Sequence, residues 1–69
     1  MFTEIGIVAG EIWHFLDSHG EVSLLQLLKG IEKPKEVILM SLGWLAREGH
    51  VLVKFEEDQY KVNLRGESS

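Results

Sequence analysis

"SLGWLAREGH", residues 41–50, is the stretch on which the fold turns. Its second half reads simply. Leu42 and Leu45 share one side of a helix, and Gly49 stops it, the residue that most easily takes the left-handed conformation closing a helix. Its first half is harder, because Gly43 and Trp44 stand in mid-helix. A glycine there costs about 1 kcal/mol against alanine, and Trp44 lies off the main apolar stripe. Upstream, Pro34 occupies the preferred first helical position, and the helix runs from there to about Glu48 with Ile38, Ser41, Leu42 and Leu45 on one face. Downstream, "VLVKFEEDQYKVNL" alternates with period two. Pairing Phe55 with Tyr60, Val53 with Val62 and Val51 with Leu64 puts all six on one face and leaves Glu57-Asp58 as a two-residue turn. That turn lacks the glycine such turns favour, so a looser loop is the alternative.

Toward the N-terminus, Ser23 opens "SLLQLLKG" with glutamine three positions on, a capping box, and Gly30 closes this two-turn helix. "EVS" before it suits a short strand. The first helix is expected from a Thr3 cap to about Ser18, stopped by Gly20, with Ile5, Val8, Ala9, Ile12 and Leu16 at helical spacing. Phe15 and Trp13 widen that stripe. The order helix, short strand, helix, helix, strand, strand describes an α+β winged helix-turn-helix, with three helices, a short strand and a C-terminal β-hairpin wing. Residues 1–65 are expected to form one domain, and 66–69 a disordered tail.

"LGWLAREGHV" resembles the end of the second helix of the helix-turn-helix in the winged-helix superfamily. More narrowly, "IGIVAGEIWHFL" together with "LGWLAREG" is similar to a family of very small, stand-alone prokaryotic winged-helix proteins of unassigned function. That resemblance implies the fold and a homodimer, and no particular task.

Sixty-nine residues form a small core, and domains of this size commonly lean on disulfides, metals or self-association. The absence of cysteine removes disulfides and thiolate zinc sites together, leaving self-association as the expected support. Eleven acids against seven bases give a net charge of −4, which opposes attraction to nucleic acid or anionic lipid as a whole-molecule effect. No apolar run approaches the roughly 18 residues of a membrane span. No charged-then-apolar leader opens the chain. A cytoplasmic protein with no membrane partner is expected.

The third helix carries apolar residues almost all round, which is the mark of a buried helix. Leu39, Met40 and Trp44 lie outside its core face; Phe2, Trp13 and the bare strip of Gly6 and Gly10 lie on the first helix. One small core cannot cover both sets, and exposed apolar patches mark interaction sites. The expected protein interface is therefore Phe2, Gly6, Gly10, Trp13, Leu39, Met40, Gly43 and Trp44, with a second copy as the first candidate partner and another protein as the second. The competing reading has both tryptophans capping the core of one chain, the glycines making room for them inside it.

A DNA-binding regulator is the alternative function. It would rest on Lys33, Lys35, Arg47, Lys54 and Lys61. The outward face of the third helix offers Glu36, Met40, Gly43 and Arg47, where base readers are typically Arg, Lys, Asn and Gln. The wing tip reads Glu56-Glu57-Asp58, so both contact surfaces carry the wrong sign for phosphate. Lys54 and Lys61 would be direct neighbours, unfavourable unless an anion intervenes.

Catalysis is not expected. His14, Asp17, Ser18 and His19 crowd the end of the first helix, and His14 can reach Asp17 or Ser18. Neither oxyanion donors nor a water-excluding pocket accompanies them. His14, His19 and His50 lack metal-ligand spacing, and the glycines form no phosphate-binding loop. No cofactor is expected.

Overall fold

Most helix ends are set by a residue whose backbone preference is visible in the sequence. In the computed structural model, which describes the backbone of residues 2–65 and side chains from Glu4 onward, the order is α1 (Phe2–His19), β1 (Val22–Ser23), α2 (Leu24–Gly30), α3 (Lys35–Arg47), β2 (Val51–Glu56) and β3 (Gln59–Leu64). The tail expectation for residues 66–69 lies outside the described residues. This is the winged helix-turn-helix architecture, three helices with a three-stranded antiparallel sheet ordered β1-β3-β2.

Gly20 closes α1 at φ 73°, its N–H donating to the Leu16 carbonyl at 2.8 Å. Gly49 closes α3 at φ 81° in a Schellman motif: His50 N–H donates to Leu45 O at 2.9 Å and Gly49 N–H to Ala46 O at 3.1 Å. Ser23 and Gln26 make the reciprocal capping box that starts α2, at 3.1 and 2.9 Å. Two expected helix starts shift. The first helix begins at Phe2, ahead of Thr3. Pro34 is the N-cap of α3 rather than its first residue, with ψ 137° and a carbonyl that accepts from Val37 and Ile38.

Gly30 serves a purpose other than the expected one. It lies inside α2, outside the left-handed region, and the cap position falls to Ile31. A Cβ at Gly30 would overlap the Phe15 ring, with Cζ only 2.6 Å away, so glycine is what lets α2 lie against that ring. Phe15 in turn stacks on His19 at 4.1 Å between ring centroids, and the imidazole Nδ1 sits 2.8 Å from the Phe15 carbonyl.

The core gathers Val8, Ala9, Ile12 and Leu16 of α1 and Leu27 of α2 with Val37, Ile38, Leu42 and Leu45 of α3. Val22, Val51, Val62 and Leu64 close it from the sheet. Ser41 is fully buried in α3, and its hydroxyl has no hydrogen-bond partner. The hairpin register is the one the alternation predicts, Val51 with Leu64, Val53 with Val62 and Phe55 with Tyr60. Its turn is the tight form: Glu57 and Asp58 take φ 56° and 63°, both left-handed without a glycine. Alternation fixed the face but not its cover. Val53, Phe55 and Tyr60 stay exposed on the core-facing side, with the two rings 4.8 Å apart.

Candidate functional site

Two helices crossing with glycines on one of them leave a groove. Ile5, Gly6, Met40 and Trp44 line a depression of about 390 Å³ between α1 and α3. A second, of about 290 Å³, is lined by Gly6, Ala9, Gly10, Trp13, Trp44, Leu45 and His50. Gly6 and Trp44 border both, so the two form one apolar trough. Trp44 is 49% exposed and Trp13 39% exposed, so each is partly covered by its own chain and partly open.

The glycines explain little within the chain. A methyl at Gly6, Gly10 or Gly43 would meet nothing within 4 Å among the described residues, apart from its own helix backbone and chain neighbours. At Gly10, clearing space for a tryptophan of the same chain would leave that ring in contact with the added carbon. Among the described residues, no such contact returns the helix cost of about 1 kcal/mol per glycine at Gly6 or Gly10.

Of the eight expected interface residues, the fold brings Gly6, Gly10, Trp13, Met40 and Trp44 together around the trough. Gly43 adjoins Met40 and Trp44 by helical spacing without lining it. Leu39 turns about 100° from Met40 on the other side and lines neither depression. The Phe2 side chain lies outside the described residues. His50 belongs to the trough and was missed. The signal for it was the Schellman closure, which folds the residue after Gly49 back toward Leu45.

The five candidate DNA contacts do not form a free basic patch. Lys33 pairs with Glu11 at 3.3 Å and Lys54 with Glu21 at 3.0 Å. Lys61 lies 3.4 Å from Glu57 and 3.9 Å from Glu56. Lys54 and Lys61 do face each other in the ladder, and these acids supply the intervening negative charge. The hydrogen bond to Glu21, and then the negative charge of Glu21 and Glu56, raise the Lys54 pKa above its ordinary value. Among the described residues, Lys35 and Arg47 are the two of the five without an ion-pair partner.

At the end of α1, His14 packs edge-on to Trp13 at 5.6 Å, and no hydrogen bond joins it to Asp17 or Ser18. No group of three His, Asp or Glu residues among those described converges to hold a metal. No described helix is long and apolar enough to cross a membrane.

A profile of the winged helix-turn-helix domain DUF2582 matches residues 2–64. An uncharacterized protein of Methanocaldococcus jannaschii, MJ1608, is 35% identical over 68 residues, spanning 94% of this chain and 96% of its own length. The solution NMR structure of protein BT2368 from Bacteroides thetaiotaomicron superposes with a TM-score of 0.82 at 25% identity, over 97% of this chain and 82% of that one.

Proposed function

The chain belongs to the DUF2582 winged helix-turn-helix family, and from that premise we propose that it is a non-enzymatic, cytoplasmic binding module that self-associates as a twofold homodimer through the α1–α3 trough. One observation carries the reading. Gly6, Gly10 and Gly43 leave open space where a side chain would fit, beside two half-exposed tryptophans. Glycine permits close approach of another backbone or a large ring, and tryptophan is favoured at the centre of interfaces. A second copy is the occupant that needs no further protein, and twofold dimers are the commonest oligomers. The cytoplasmic setting rests on composition alone.

Both tryptophans of the sequence stand at the trough, so their emission reports its cover directly. On dilution from high micromolar to nanomolar concentration, emission is expected to shift to the red as the indoles become wet. Red emission at every concentration refutes the reading. The regulator alternative predicts a rise in fluorescence anisotropy of labelled duplex DNA that fades with salt. The pairing of Lys33, Lys54 and Lys61 with carboxylates weighs against it.

A further inference from the structure

Hydrogen-bond parity along the hairpin leaves one edge of the sheet open in a self-complementary way. Arg65 N–H donates to the His50 carbonyl at 3.0 Å, which marks positions 50 and 65 as a bonded pair. Bonded and non-bonded pairs alternate in an antiparallel ladder. His50, Leu52, Lys54 and Glu56 therefore aim their backbone groups at β3, while Val51, Val53 and Phe55 aim theirs the other way. In the order β1-β3-β2, that second edge meets no strand among the described residues. The register runs unbroken from Val51 to Glu56, with no proline and no bulge. Leu52, Val53 and Phe55 are exposed along it. Such an edge is a template for pairing, which proteins usually blunt.

We infer that the open edge of β2 is an interaction surface for the β2 strand of a second copy, paired antiparallel about a twofold axis at Val53. The inference rests on the self-association reading and adds a backbone element to it. A twofold axis normal to the sheet keeps every residue on its own face, and the outward-aimed groups at 51, 53 and 55 then select the register. Val53 meets its own counterpart, and Val51 meets Phe55. On the outer face Leu52 falls opposite the aliphatic stem of Lys54, and Glu56 opposite His50. No like charges oppose each other. An axis at Phe55 would draw left-handed Glu57 into the ladder, and one at Val51 would run into the reversal at Gly49. His50 begins this edge and also lines the trough, so the two surfaces adjoin.

Because the sequence has no cysteine, single-cysteine variants test the register cleanly. Opposed residues of a bonded pair stand about 5.5 Å apart at Cα, within disulfide reach. Val53→Cys is expected to oxidise to a covalent dimer at least about tenfold faster than Phe55→Cys. Residue 55 is the more exposed of the two, yet its counterpart lies four positions away, about 13 Å along the strand. Equal rates, or no covalent dimer from either, overturn the inference. In the unsubstituted protein the Val51, Val53 and Phe55 amides are expected to gain hydrogen-exchange protection as concentration rises. Fast exchange at every concentration of the chain alone leaves the edge to some other strand or to none, and overturns it. A dimer by mass with fast exchange at these amides sinks the edge and spares the trough. Protection that survives Trp44→Ala keeps the edge and sinks the trough.

Discussion

Gly43→Ala separates the two places where the free energy of this glycine can be recovered, because it is expected to act with opposite signs on the isolated chain and on the proposed dimer. Among the described residues, apart from its own helix backbone and chain neighbours, the new methyl meets nothing within 4 Å. What remains is helix propensity, which favours alanine by about 1 kcal/mol. For a domain this small, that raises the midpoint of thermal unfolding by roughly 4–8 °C. Gly10→Ala should behave alike, since its surroundings are equally open. If a second copy packs closely against these glycines, each methyl overfills that contact at about 1–3 kcal/mol, a weakening of roughly five- to 150-fold in the dissociation constant. Urea denaturation at low concentration reads the first effect. Sedimentation velocity across a dilution series reads the second. Destabilisation of the dilute variant would reveal an intrachain role that the open space denies. Unchanged association by both variants would show that the glycines do not serve a partner.

Three further outcomes follow from single features. Ser41→Ala removes a buried hydroxyl without a partner and is expected to stabilise the chain by about 1 kcal/mol in chemical denaturation; a loss of stability would mean the hydroxyl has a partner. Replacing the left-handed Glu57-Asp58 pair by Asn-Gly relieves two unfavourable φ values, for an expected gain of about 1–2 kcal/mol in chemical denaturation; no gain would contradict the strain at this turn. The Lys54–Glu21 pair sets a pH dependence. Lys54 titrates above its ordinary 10.5 when folded, so the pair's contribution is full below that value and is lost as pH rises through the higher folded one. Melts of the parent chain and Glu21→Gln should therefore differ by a constant amount through neutral pH and converge in strong alkali; a gap that widens above pH 11 contradicts the assignment.

Local signals in the sequence were sufficient wherever a structural choice is settled by a few neighbouring residues. Gly20 and Gly49 end helices because left-handed φ is cheap only for glycine, and Ser23 with Gln26 satisfies amides that would otherwise be orphaned. The hairpin register followed from alternation, since a one-residue slip would expose Val62 and Leu64. What stayed hidden depends on residues distant in sequence. Gly30 looked like a helix stop, and only the approach of Phe15 explains it. The lysines looked free until folding brought Glu11 to Lys33 and Glu21 to Lys54. Periodicity placed Phe55 and Tyr60 on the core-facing side, but how far the helices extend over the wing is a tertiary quantity. At the candidate site, Trp13, Trp44 and the glycines were legible as an anomaly, whereas His50 and the turning away of Leu39 required the crossing of α1 and α3.

Sedimentation equilibrium at micromolar concentration probes the cover of the α1–α3 trough more directly than any other measurement. The expected mass is twice the 7.9 kDa of one chain, falling toward 7.9 kDa for Trp44→Ala. A parent chain that stays at 7.9 kDa across the whole range would contradict the account.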